Sequence, residues 1–423
     1  MHSDSQNEML LVGIDWADQK HDVCVRLLDD KIESLQIDAD TDDVERLVER
    51  LQKLAHGRPI AICLEKSRVR IIYHLMLRDN IQLYLIDPKQ IARYRESFTS
   101  SGAKDDPGDA ALILRFLSER HDQLRVWKPD DAQTRRISQF CHTRRSLVDN
   151  RTGLIQELQS VLKTYNPLVL SLAGGNATSA MLSEILRRWP DPRRFKRNHP
   201  ETLRKLFRRH GIKNTERIDE LIQMVRSKPL VTSDRALLEP LAIRAQAIAA
   251  QIEVLDKAIQ QLEEEIDKAM QEHPDGKLFK NLPGAGKALA PRLLAAFGSQ
   301  RDRFKSAEEI AVYSGIAPVT RQSGKTKHVS RRRACPKYLR QTFHEFADCA
   351  RKWCPWSRAF YQLQRDRGMK HHAAVRKLAY KWIRILYPLW KNRTSYDPNH
   401  YLNSLKAKNH PLLCYLERET SNP

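Results

Sequence analysis

Between residues 241 and 266 the chain sets Leu241, Ala245, Ile248, Ile252, Leu255, Ile259, Leu262 and Ile266 at steps that alternate four and three. An α-helix returns to the same face about every 3.6 residues, so this stripe demands a long helix with one apolar seam. Glu253, Lys257, Glu263 and Lys268 fall off the seam and stay in water. A lone amphipathic helix on its own domain can carry a similar stripe, but so strict a repeat favours a coiled coil, formed as a hairpin or between chains. A second long, polar helix is expected from Asp131 to Tyr165, with Ile137, Phe140, Leu147, Leu154, Leu158 and Leu162 as its apolar positions.

Residues 9 to about 125 follow a different rule. Short apolar runs, Leu10–Ile14, Val23–Leu28, Ile60–Leu64 and Leu83–Ile86, alternate with helical patterns near Asp42–Ala55, Val69–Arg78 and Pro107–Glu119. Such alternation predicts an α/β layer. Only Trp16–Asp22 separates the first two strands, which suits an antiparallel hairpin, while the later helices suit crossovers to parallel strands. The expected result is a mixed sheet.

Two of these runs end in acids. Asp15 follows Leu10–Ile14 and Glu65 follows Ile60–Leu64, so each stands at the rim of a buried strand. Asp106 and Asp109, three apart at the start of a helix, share a face. Hard divalent cations take oxygen ligands of this kind, and two such ions about 3.5–4 Å apart can hold both the attacking and the leaving oxygen of a phosphodiester.

The chain of 423 residues carries 73 Lys and Arg against 52 Asp and Glu, a net charge of +21, with a sequence pI near 9.7. Its field attracts polyanions, nucleic acid first among them. No apolar run approaches the ~20 residues that span a bilayer, and the polar amino end lacks the order of a secretion signal, so a cytoplasmic protein without membrane insertion is expected. The seven cysteines are scattered and form no CxxC, which fits a reducing compartment and isolated core thiols. Cys349 and Cys354 with nearby histidines match no usual zinc spacing.

Three basic stretches are candidate nucleic-acid contacts. Residues 166–230 contain Arg193-Arg194-Phe195-Lys196-Arg197 and then a helix on which Arg204 and Arg208 share a face opposite Leu203, Leu206 and Phe207. Leu282-Pro283-Gly284-Ala285-Gly286-Lys287 resembles the turn of a helix-hairpin-helix, where Gly284 and Gly286 would let backbone N–H groups approach a phosphate beside Lys287. It lacks the spacing of a P-loop. Ser323-Gly324 lies among Lys325, Lys327, His328, Arg331, Arg332 and Arg333, which would position a phosphate backbone. Ser314 and Ser330 are its local competitors, Ser314 within an apolar run that predicts burial. Of the aromatic residues between Trp353 and Tyr401, most are expected in a core, with one or two free to stack on bases.

In order and spacing these segments resemble the bridge-RNA-guided DEDD transposases of the insertion-sequence-110 family, relatives of the Piv-type DNA invertases. The resemblance rests on Gly13-Ile14-Asp15, Glu65, Lys104-Asp105-Asp106-Pro107-Gly108-Asp109-Ala110, Leu282-Pro283-Gly284-Ala285-Gly286, Gly298, Phe304, Ser314-Gly315-Ile316-Ala317-Pro318, Ser323-Gly324 and Arg340. Two departures stand out. Lys66-Ser67-Arg68 follows the glutamate where the family has a small residue, then Ser or Thr and Gly, and Asp105 replaces the usual threonine. Asp106 rather than Asp105 keeps the motif's spacing to Asp109.

The resemblance implies a RuvC-like, ribonuclease-H-fold metal-binding domain over residues 1–125, and a helical, coiled-coil middle over 126–274 with the basic insertion 166–230. A mostly helical serine transposase domain would follow over 275–402, and a tail over 403–423. It implies Mg²⁺, two ions, on Asp15, Glu65, Asp106 and Asp109, and Ser323 as the nucleophile of strand exchange. The implied partners are target and donor DNA, a structured bridge RNA pairing with both, and further copies of the chain, as dimer or tetramer, through the coiled coil. A serine hydroxyl attacks poorly at neutral pH, so the metal and the nearby cations would be needed to activate it. Two rivals remain: a RuvC-type structure-specific endonuclease using metal-activated water, and a non-catalytic nucleic-acid-binding scaffold.

Overall fold

The structure, a computed structural model, describes residues 9–66, 70–98, 106–324 and 326–420; the side chains of Arg70, Asp106, Pro107 and residues 417–420 lie outside the description. The chain separates into two compact units, Met1–Asp130 and Asp131–Pro423.

The first unit is a mixed five-stranded sheet with helices on both faces. Its strands are β1 (Leu10–Trp16), β2 (Lys20–Arg26), β3 (Ile32–Asp38), β4 (Ile60–Glu65) and β5 (Ile81–Ile86), in the order β3-β2-β1-β4-β5. The β1–β2 and β2–β3 pairs are antiparallel, and β1–β4 and β4–β5 are parallel. The expected hairpin and crossovers are therefore present, with the second strand three residues earlier than its apolar run suggests. The helices are α1 (Thr41–Ala55), α2 (Arg70–Leu75), α3 (Pro88–Glu96) and α4 (Asp106–Arg120).

Alternation along β1 and β4 sorts their side chains between two cores. Leu10, Val12, Ile14, Ile60, Ile62 and Leu64 join the cluster that includes Val44, Leu47, Val48 and Leu51 of α1. Leu11, Ala61 and Cys63 join the cluster of Ala110, Ile113, Leu114 and Leu117 of α4. Burial on both faces explains why these two strands read as continuous apolar runs.

Two elements of this unit were not anticipated. β3 is an edge strand whose side chains alternate between exposed and half-buried, so it carries only a weak apolar signal. Helix α3 has Asp87 as N-cap, accepting from Lys89 N, with Pro88 in the first turn and Gln90 closing a capping box. That Asp-Pro-x-Gln order is a readable start signal.

The second unit is mostly helical. α5 (Ala132–Tyr165) and α11 (Arg235–Glu272) run antiparallel, as their cross-pairs show: Arg136–Glu265 at 3.0 Å, Arg151–Asp256 at 2.5 Å and Arg244–Glu157 at 2.8 Å. The apolar stripe of α11 thus finds a partner within the chain. Between these helices lie α6 (Pro167–Leu172), α7 (Ala180–Arg188), α8 (Pro192–Lys196), α9 (Pro200–Arg209) and α10 (Thr215–Ser227). They form one core with Leu158, Leu162, Ala245, Ile248 and Ile252 at one end of the long pair. At the other end, Ile137, Cys141, Ile266 and Met270 join a second core with the carboxyl-terminal helices.

Those helices are α12 (Gly276–Lys280), α13 (Gly286–Phe297), α14 (Ala307–Tyr313), α15 (Lys337–Trp353), α16 (Pro355–Asp366), α17 (His371–Asn392), α18 (Pro398–Ala407) and α19 (Leu412–Thr420). Trp356, Trp382 and Trp390 are buried in this core, whereas Trp353 is 73 % exposed. A two-stranded hairpin, β6 (Val319–Ser323) and β7 (Thr326–Ser330), interrupts the helices.

Candidate functional site

The acids of the first unit are positioned by small residues. On the α4 face, β1 presents Leu11, Gly13 and then Asp15, while β4 presents Ala61, Cys63 and then Glu65. The strands are in parallel register through Gly13–Cys63 and Ile14–Leu64, so Asp15 and Glu65 occupy the next step on the same face. Helix α4 lies so close to β1 that a Cβ on Gly13 would stand 2.5 Å from both the Ala110 carbonyl oxygen and the Leu114 nitrogen. Asp109, next to Ala110, is thereby held on the side of the sheet where both strand-end acids project.

Asp109 is buried, at 7 % exposure. Its Oδ1 accepts a hydrogen bond from Arg95 Nη2, so a helix absent from the sequence-based expectation supplies its countercharge. Helix α3 is fastened to α4 by the Tyr94 hydroxyl, which donates to Glu119 Oε2 at 2.5 Å. Burial first, and then Glu119, push Tyr94 up to about 12. Burial likewise raises the Cys63 thiol to about 12, so the residue preceding Glu65 on its face is a neutral apolar floor.

Asp106 opens α4, with its side chain outside the described residues. Lys104 and Asp105 lie outside the described residues. Among the described side chains, the three-acid group with all ligand oxygens within 4.8 Å of one another is Asp38, Asp40 and Asp43, not the strand-end set. That exposed group is explained by helix capping: Asp40 accepts from Asp43 N at 2.8 Å, and Asp43 accepts from Asp38 N at 3.1 Å.

Ser323 is the last residue of β6 and is exposed. It faces Thr326 across the hairpin, with Gln322 opposite Lys327 and Arg321 opposite His328. Gly324 takes φ +54°, a left-handed value that a two-residue hairpin turn requires. The expected basic turn is therefore the tip of a ribbon, and Lys327 stands on its second strand; Lys325 lies outside the described residues. Arg331, Arg332 and Arg333 follow the foot of the hairpin, with Arg331 and Arg333 exposed and Arg332 half-buried. Ser314 is fully buried and its hydroxyl donates to the Ala311 carbonyl at 3.4 Å, in line with the packing expected of it.

The remaining candidates divide. Gly284, at φ +75°, packs against α15: a Cβ there would meet Cys349 C at 2.8 Å and Ala350 N at 2.9 Å. Close packing on the α15 backbone is therefore one requirement for glycine at this position. Gly286 and Lys287 are exposed at the start of α13. In the insertion, Leu203, Leu206 and Phe207 are buried as expected. The Arg204 guanidinium is engaged by Asp219, at 3.0 Å, and by Glu201, whereas Arg208 is exposed.

Comparison with known proteins matches both ends of the chain to transposase models. Residues 12–167 match the DEDD transposase model of the IS110 type, and residues 276–362 match the transposase model of the IS116/IS110/IS902 family. The IS117 mini-circle protein of Streptomyces coelicolor is 29 % identical over 396 residues, covering 91 % of this chain and 94 % of the relative. The 42 kDa protein of insertion element IS900 from Mycobacterium paratuberculosis is 23 % identical over 393 residues, covering 91 % and 96 %. The 43.6 kDa protein of insertion element IS110 from Streptomyces coelicolor is 24 % identical over 297 residues, covering 70 % and 72 %. Both matched models take in the residues singled out above, the strand-end acids in one and the serine hairpin in the other, and the chain belongs to the IS110 family of transposases.

Proposed function

We propose that this transposase cuts and joins DNA through a phosphoserine link at Ser323, with Mg²⁺ held by Asp15, Glu65, Asp106 and Asp109. The observation that carries the reading is the shared face: two strand-end acids and the first turn of α4 on one side of one sheet. The β3-β2-β1-β4-β5 order also supports a RuvC-like, ribonuclease-H-type fold for this unit. An all-carboxylate donor set suits a hard divalent cation, and Arg95 against Asp109 marks a place where positive charge is already required. When bound there, Mg²⁺ supplies positive charge against the attacking and leaving oxygens.

In the serine step, Oγ of Ser323 loses its proton and bonds to phosphorus, one P–O bond of the strand breaks, and the departing oxygen takes up a proton as a free hydroxyl. Attack by a second strand's hydroxyl then restores a phosphodiester and regenerates the serine, without ATP. Lys327, His328 and Arg331 to Arg333 supply cationic charge for the phosphate and its neighbours. A structured bridge RNA selects target and donor by base pairing, a role compatible with the net charge of +21. A second copy docks on the outward face of α11, where Ile243 and Val254 are 68 % and 66 % exposed.

The test is strand exchange by purified protein on target and donor duplexes, read on a denaturing gel for covalent protein–DNA product. Ser323→Ala should lose that product, and Asp15→Asn should lose cleavage. A Ser323→Ala protein that still cuts would instead indicate metal-activated water. RNA recovered with the protein should be one structured species from beside its gene, and random fragments would refute the guide.

A further inference from the structure

At the foot of the hairpin, α15 and α17 border a cleft of about 520 Å³ lined chiefly by Arg331, Lys337, Arg340, His344, His372 and Arg376. Its one carboxylate, Glu345, is already engaged, accepting from Arg292 Nη1 at 2.5 Å and Gln341 Nε2 at 2.7 Å. Arg340, among the described residues, reaches the Cys335 sulfur at 3.4 Å and the Arg332 carbonyl at 3.5 Å. Among the described residues, neither Arg331 nor Arg376 forms an ion pair.

Three guanidinium groups therefore line one cleft with no ion-pair partner among the described residues. Burial first, and then the charges of Arg331 and Arg340, lower the proton affinity of Arg376. Burial likewise holds His344 below the ordinary imidazole value, with His372 and Arg376 adding to it. Like charges drawn together in a half-buried cleft are destabilising until an anion joins them, and a phosphate oxygen can accept from several guanidinium N–H groups at once. A neighbouring hollow of about 730 Å³ shares Arg331 and Arg376 and reaches Val329 and Ser330 of β7, so the cluster continues onto the hairpin.

We propose that this cleft seats one phosphodiester of the nucleic-acid strand that runs along β7, held by Arg331, Arg340 and Arg376. The proposal rests on the reading that a strand reaches Ser323. At about 3.3 Å per residue, the five residues of β7 put the cleft roughly 16 Å from the hairpin tip. Successive phosphates of a strand lie farther apart than the ~3.4 Å axial rise per nucleotide, so the seated phosphate lies only a few nucleotides from the one at Ser323.

The test uses the full chain, a fluorescein-labelled duplex DNA and a labelled structured RNA, with anisotropy titrations across salt concentrations. Arg376→Gln should weaken binding roughly ten-fold and reduce the salt slope by about one, whereas Arg376→Lys should retain the slope. Its melting temperature without nucleic acid should hold or rise, because a like charge has gone. Should Arg376→Gln melt lower, the exposed Arg331→Gln carries the same test. Loss on the duplex alone assigns the seat to DNA, loss on the RNA alone to RNA, and loss on both to the shared phosphodiester.

Unchanged affinity and slope for both nucleic acids overturns the proposal, as does thermal protection by inorganic phosphate that the variant loses without any change in nucleic-acid binding. If Ser323→Ala keeps its covalent product while Arg376→Gln loses affinity, the serine reading falls and the phosphate seat stands. The reverse pair of results removes the seat alone.

Discussion

The strand-end acids and the serine hairpin are built in opposite ways. Leu10–Ile14 and Ile60–Leu64 are buried from end to end, and α4 touches the backbone of β1 at Gly13, so Asp15 and Glu65 leave a rigid floor. Ser323 sits on a ribbon whose residues are nearly all exposed, only Val319 and Ser330 at its foot being half-buried. A ligand set must be held to within fractions of an ångström, which favours a packed sheet. A two-stranded ribbon is marginal in water without further partners, so its conformation can be set by whatever polyanion it meets. One region is fixed by packing on both faces of a sheet, and the other has no core of its own.

The largest effect is expected at the hairpin. Ser323→Ala is expected to abolish covalent protein–DNA product while leaving the melting temperature within about 1 °C, because exposed substitutions of this kind cost little. A large loss of stability in calorimetry would mean that the hairpin is structural. Next in size, Gly13→Ala should destabilise the first unit by about 3 kcal/mol, since the new methyl group meets backbone rather than a movable side chain. Denaturant unfolding followed by circular dichroism would read this. Gly324→Ala, at a left-handed turn with open space around it, should cost only about 1 kcal/mol.

Gly284→Ala sharpens the same contrast within the second unit. It should lower stability by about 2 kcal/mol through contact with the α15 backbone. If it leaves stability intact and weakens DNA binding, the phosphate reading of that glycine is correct and the packing reading is wrong.

The smallest expected effect is with pH. His273 accepts from Asp275 N through Nδ1 at 3.0 Å and meets Thr134 Oγ1 through Nε2 at 2.8 Å, an arrangement that fits the neutral ring. Burial is the main cause of its lowered proton affinity. The unfolded chain therefore binds the proton more tightly than the folded one. Stability from this site is fully present above the ordinary imidazole value near pH 6.5, and falls as pH drops below it toward the folded value. Melting temperatures between pH 7.5 and 5 should show the decline, and His273→Gln should flatten it.

Much of the fold was legible because burial writes itself into spacing. The two-sided burial of β1 and β4 produced the continuous runs before Asp15 and Glu65, and the seam of α11 produced its four-three steps. Edge strand β3 was missed because only Leu35 and Ile37 turn inward among polar residues. The hairpin β6–β7 was missed for a related reason: a ribbon without a core has no apolar alternation to read. Helix α3 did leave a signal in Asp87-Pro88-x-Gln90, but nothing in that signal says that Arg95 reaches Asp109.

By itself, the amino-acid sequence determined the layered α/β character of the first part, the long helix of the second and the excess of positive charge. Each of these depends on local spacing or on composition, which tertiary contacts do not alter. Only the folded structure decided that the seam of α11 is met by α5, that Gly284 packs against the backbone of α15, and that Arg331, Arg340 and Arg376 line one cleft. Those outcomes depend on residues far apart along the chain coming within a few ångströms, and spacing along a chain carries no measure of distance in space.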